Sequence, residues 1–201
     1  MAPGPRGDED GEMAVTSAFQ ALSIGTCAGM LRSLQAVMQT AAAFAEVRGQ
    51  SPEQFADARL APDMFPFALQ IHLACNQVRD MVLLLKRETP PTGPFEPPGW
   101  AALEARVGET LALLESLPPV DLAGSEDRPV VLPTDDAQEF AFTGLSYVRD
   151  WALPNFSFHV VIAYGILRAQ GVPIGKVAYL AQVASSRRPA GGAASSAAGE
   201  P

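Results

Sequence analysis

The chain has 201 residues, with 22 acidic and 14 basic side chains and a formal net charge of −8. An acidic chain of this length has room for one domain with a normal apolar core, and its charge argues against nucleic acid or an anionic membrane surface as partners. Its two cysteines, Cys27 and Cys75, lie far apart and outside any CxxC pattern, so they read as buried thiols; with no apolar leader and no apolar stretch of ~18 residues, the cytoplasm is the expected location.

Residues 1–16 are rich in Gly, Pro and acid and are expected to be a disordered tail. The domain proper is placed at 17–183. A first long helix is predicted over 17–47, because Leu31, Leu34, Met38, Ala41 and Ala45 recur at the three- and four-residue spacing of one helical face. Arg48-Gly49 should stop it. Ser51-Pro52-Glu53-Gln54 reads as a capping box opening a short helix over 52–58.

Asp63 is the expected cap of the next helix, with Pro66 tolerated in its first turn. Phe67, Ile71, Cys75, Val78, Val82 and Leu85 then form a stripe reaching about Arg87. The proline-rich run 88–99 allows no regular element. A third helix is predicted over 100–117, ended by Pro118-Pro119. Between 128 and 143 the period falls to two, with Val130 and Leu132 on one side and Phe140 and Phe142 on the other, which predicts a hairpin around Asp135-Asp136. Thr143 should cap the last helix, which runs to Gln170 and stops at Gly171. Pro154 should kink it or split it in two. From Phe156 to Leu167 this helix is apolar nearly all round, so it is either central or covered by a second subunit. Residues 184–201 form a low-complexity segment, expected to be a disordered tail.

Candidate chemistry centres on the two histidines, His72 on the second long helix and His159 on the last. Facing helices of a bundle can bring such imidazoles together around a metal; equally, each can be a core histidine bonded to a nearby acceptor. Asn155 lies one turn before His159 and is expected to satisfy backbone freed by Pro154. Arg59, Asp63 and Asp150 suggest an ion pair. His72 precedes Cys75 by three residues, close enough to be a neighbour on one helical face, yet the spacing alone is a weak sign of a nucleophile. GxGxxG, GxxxxGK[ST], HExxH and GxSxG are all absent from the sequence.

Three phrases carry a family resemblance. Arg59-Leu60-Ala61-Pro62-Asp63-Met64-Phe65-Pro66, Ala152-Leu153-Pro154-Asn155-Phe156-Ser157-Phe158-His159, and Gly171-Val172-Pro173-Ile174-Gly175-Lys176 followed by Tyr179-Leu180 resemble the signature stretches of a bacterial and fungal domain of unknown function, DUF1993, over about 21–180. That family resembles the DinB-like (YfiT-like) superfamily, which implies an all-α, up-down four-helix bundle with a small β-hairpin before the last helix. The resemblance also implies a frequent dimer, and in some relatives a metal-dependent transferase or hydrolase whose zinc or nickel is held by three histidines. His72 and His159 lie on the matching helices, whereas the positions one turn from His159 are Asn155 and Ala163.

The expectation is therefore a bundle protein without a complete metal site, acting as a homodimer. The alternative is a metal-dependent enzyme using His72 and His159, with a third ligand from Asp63, Asn155 or water. A third reading is a small-molecule pocket near Arg59, Asp63, Phe65, Phe67, Asn155, Phe156 and Phe158, aromatics that are more often plain core.

Overall fold

The computed structural model describes residues 18–91, 93, 98–134 and 138–187. The expected N-terminal tail and the Asp135-Asp136 turn lie outside these residues, as does the C-terminal segment beyond residue 187. Residues 184–186 belong to a 3₁₀ turn, Ala181–Ser186, that continues the fold.

Four long helices make the bundle among the described residues. Helix α1 (Thr26–Val47) follows a π-helical turn, Ala21–Gly25. The apolar stripe predicted for it is buried as drawn, with Leu31, Met38, Ala41 and Ala45 inaccessible to solvent. Helix α2 spans Phe67–Leu85 and α3 spans Trp100–Ser116. The last rod comprises α4 (Gly144–Tyr147), a π-helical turn at Val148–Ala152, and α5 (Leu153–Ala169). Strands β1 (Pro129–Pro133) and β2 (Glu139–Thr143) pair antiparallel, Val130 opposite Phe142 and Leu132 opposite Phe140. A final short helix, α6, covers Lys176–Tyr179.

Side-chain pairs give the direction of each rod. Arg32 meets Glu115 at 2.7 Å, so α1 and α3 are antiparallel. Phe67 stacks on Trp100 at 5.3 Å and Asn76 meets Arg106, so α2 and α3 run the same way. His159 meets Gln70, while Gly144 lies against Leu85, so the last rod is antiparallel to α2. The order is up, down, down, up. A parallel α2–α3 pair needs a connection that returns along the whole rod. Helix α2 has 19 residues, which is about 29 Å at 1.5 Å each. The proline-rich stretch between Leu85 and Trp100 has enough residues to cover that distance.

The caps differ in part from the sequence expectation. Asp63 caps nothing: α2 starts after Pro66, in extended conformation, with no side-chain cap. Proline fixes φ and disfavours helical backbone in the residue before it, so the chain enters the helix at Phe67, three residues later than a cap at Asp63 requires. The short element after Ser51 is a 3₁₀ turn, Pro52–Phe55, with Ser51 accepting from Glu53 N. No capping box closes there, because the side chain of Gln54, three residues after the cap, turns to Gln50 Oε1 at 3.4 Å, and the Glu53 carboxylate is used elsewhere. Both its oxygens accept from Trp100 N, at 2.9 and 3.0 Å, capping α3 from 47 residues away. Thr143 does cap the last rod, in a reciprocal capping box with Ser146.

At Pro154, where the sequence predicts a kink or a split, the last rod instead takes a π-helical turn and stays helical from Gly144 to Ala169. Leu153 N–H reaches back to Val148 O, one residue further than in an α-helix. The widened turn makes room for a ring that would otherwise meet the carbonyl four residues earlier. Asn155 Nδ2 donates to Trp151 O at 2.8 Å and satisfies one carbonyl of the disturbed turn, the role expected of it. Gly171, with φ 85°, ends the rod in a conformation that a side chain disfavours.

Candidate functional site

His159 is held by a two-step hydrogen-bond chain. Gln70, buried on α2, donates from Nε2 to Phe65 O at 3.2 Å. A carbonyl only accepts, so the amide nitrogen must face it and Oε1 must face His159 Nδ1, 2.8 Å away. His159 Nδ1 is therefore the protonated nitrogen, and Nε2 carries the lone pair. Burial holds the imidazole below its ordinary pKa of 6.5, so it is neutral near pH 7. Phe158 packs edge-on against its ring at 5.5 Å.

His72 belongs to another network. Arg106 donates to Asn76 Oδ1, which orients the Asn76 amide so that Nδ2 donates to His72 Nε2 at 2.9 Å. Burial first and the Arg106 charge second lower its pKa. Gln70 and His72 are two residues apart, about 200° around an α-helix. Gln70 reaches α5 on one side of α2, and His72 meets the Asn76–Arg106 pair toward α3 on the other. The two imidazoles are not brought together.

Zinc or nickel in a three-histidine centre would need both of these rings and a third ligand. His72 Nε2 is occupied by Asn76, Asn155 turns its amide to its own helix, and Ala163 is apolar core. Among the described residues no group of three His, Cys, Asp or Glu could hold a metal. The residues present do not fit that centre. The thiols do not supply a nucleophile either. Burial pushes Cys27 up to about 12 and raises Cys75 as well, against the opposing hydrogen bond to Thr110.

The remaining predicted residues are dispersed. Phe67 and Phe156 are core. Arg59 pairs with neither Asp63 nor Asp150; its Nη1 donates to Met64 O at 2.7 Å and braces the exposed loop before α2. Asp150 is engaged by its neighbour Arg149 through both carboxylate oxygens, each at 2.7 Å. Asp63 is exposed on the loop.

Two features come together instead. The first is an apolar face around His159. Phe158 is 56% exposed and Val161, three residues on, is 46% exposed. Leu60, 43% exposed, sits on the same helix at Gly165, where an added Cβ would lie 3.3 Å from its Cδ1. Phe65, 52% exposed, joins through the Gln70 bridge. The second is a cleft of about 480 Å³ between the C-terminal half of α2, strand β1 and the start of the last rod. Asp80, Gln77, Tyr147 and Trp151 line it. Sequence reasoning missed all four, since they come in two pairs from distant segments, α2 and the start of the last rod. The available signal was Asp80 itself, a carboxylate set between Val78 and Met81 of a buried stripe.

The bundle, with its hairpin packed before the last rod, is the architecture of the DinB-like proteins. A crystal structure of a DinB family member from Shewanella denitrificans superposes with a TM-score of 0.73 at 29% identity, covering 83% of this chain and 94% of that one. The family model for the domain of unknown function DUF1993 matches residues 19–180, and the chain belongs to that family. No curated protein matches the sequence. Among the described residues no helix is long and apolar enough to cross a membrane.

Proposed function

We propose that this protein works as a homodimer in the cytoplasm, its two copies meeting through the apolar face of α5 around Phe158. The observation that carries the reading is that four large, half-exposed apolar side chains lie on α5 or on the loop beside it: Phe158 and Val161 on the helix, Leu60 at Gly165, and Phe65 on the loop whose carbonyl Gln70 holds. Single exposed hydrophobics are ordinary, whereas a contiguous group marks a contact surface. The face centres on a helix that packs on α2 from its other side, so its geometry is rigid. A symmetric dimer places the same patch on both partners, so residues near the axis meet their own copies. The two unpaired, buried thiols are those of a chain kept in a reducing compartment.

Replacement of Phe158 by Asp tests this reading. A carboxylate left unpaired in a closed interface costs several kcal/mol, and each 1.4 kcal/mol is tenfold in affinity. Phe158→Asp should therefore weaken association at least about a hundredfold while leaving the circular dichroism spectrum unchanged, because Phe158 is not core. Unchanged elution of the variant from a sizing column at micromolar concentration would count against the reading.

A further inference from the structure

The cleft beside the hairpin is independent of the α5 face and has a chemistry of its own. Its floor includes Asp80, which makes no hydrogen bond or ion pair among the described residues. Arg79 and Arg106 act on it only through their fields, from a second hollow on its other side, and Arg106 is tied to Asn76. Burial outweighs both guanidiniums and leaves the Asp80 pKa above its ordinary value. The fold thus gives this half-buried carboxylate no direct hydrogen-bonded or ion-paired partner among the described residues, although Arg87 also lines the cleft. Tyr147 stands close enough for Asp80 to raise its pKa further, which adds to the larger effect of burial. Trp151, its position set by the widened turn before Pro154, walls the same space and is braced from behind by Phe140 at 5.3 Å. At the rim, Glu88 is spoken for by Lys86 at 3.3 Å.

We propose that this cleft binds a small organic cation, an ammonium group on an apolar or aromatic body, with Asp80 as its counter-ion and Trp151 as its ring wall, backed by the buried Tyr147. A bound ammonium supplies the direct ion pair that Asp80 lacks among the described residues. Aromatic faces beside a carboxylate attract a cation more than a neutral or anionic body of the same shape. The volume lies within the range of small-molecule sites, and the apolar wall from Leu84, Val130 and Leu132 gives the body somewhere to rest.

Three ligands of one shape and different charge test the proposal: benzylamine, benzyl alcohol and benzoate. Each is titrated into the full chain near neutral pH, with Trp151 emission and titration calorimetry as readouts. Benzylamine should bind at least about tenfold more tightly than the other two. Asp80→Asn should remove that preference. A second variant, Val131→Lys, sets a like charge at the cleft mouth on an exposed strand position and should weaken benzylamine at least about tenfold without touching the carboxylate. If Asp80→Asn does not fold, Val131→Lys carries the test alone. Equal binding of all three compounds, no binding of benzylamine at millimolar concentration, or wild-type affinity in a folded variant would each overturn the assignment.

Discussion

Gly144 is the position where one methyl group should do the most damage. It begins α4, directly after the hairpin, and its N–H donates to Arg128 O at 2.8 Å. Its neighbour Leu145 donates to Glu126 O, also at 2.8 Å. These bonds draw the 122–128 turn so close that a Cβ on Gly144 would lie 1.9 Å from Ser125 O and 2.9 Å from Ser125 C. Real Cβ atoms stay beyond 3.0 Å, and the obstacle is backbone, so turn and helix must part by roughly 1 Å. That separation stretches both hydrogen bonds past useful length. Losing two part-buried backbone bonds costs about 2–4 kcal/mol, offset by at most about 1 kcal/mol from the better helix propensity of alanine. Gly144→Ala should therefore destabilise by about 2–3 kcal/mol, and lower Tm by about 5–10 °C for a domain of this size. Urea denaturation followed by circular dichroism measures it. Gly108→Ala is the control, since its Cβ would meet only Gln35 Nε2 at 3.9 Å; the same alanine should there stabilise by about 1 kcal/mol. A Gly144→Ala variant as stable as wild type would refute the close approach of turn and helix.

Three further outcomes follow from the same geometry. Glu53→Ala removes the carboxylate that caps Trp100 N and should cost about 1 kcal/mol, read as a lower urea midpoint with unchanged slope. Arg87 occupies the left-handed region, φ 63°, just past the end of α2, where glycine is at ease; Arg87→Gly should raise stability by about 1 kcal/mol in the same assay. His72 and His159 are both held below the ordinary 6.5, so the unfolded chain takes up these protons before the folded one does. Their effect on stability is nil above that value and destabilising as pH falls below it. Tm should decline from pH 6.5 to 5, and His159→Gln should make the decline shallower.

Much of the fold is written in local pattern. The α1 stripe from Leu31 to Ala45, the alternation of Val130 and Leu132, and the Thr143 cap each depend on neighbours a few residues away, and the structure holds them as read. What fails to show in the sequence is long-range. Glu53 looks like an ordinary first-turn acid inside the Ser51–Gln54 phrase, and only the folded chain reveals that it caps a helix 47 residues away. The prolines of the second connection mark a break but not its direction, so nothing local says that α2 and α3 run parallel. His72 and His159 sit on the expected helices, yet their meeting depends on which side of α2 each approaches, a matter of a 200° rotation that only packing decides. Asp63 and Arg59 look alike as charges in a signature phrase; one is exposed and the other braces a carbonyl. The cleft is least legible of all, because Asp80, Tyr147 and Trp151 become neighbours only when the hairpin folds back beside α2.

The native mass of the wild-type chain in solution bears most directly on the proposed assembly. Light scattering on the peak eluted at tens of micromolar should give twice the 21.2 kDa of one chain. A single 21.2 kDa species at that concentration would contradict a dimer built on the Phe158 face.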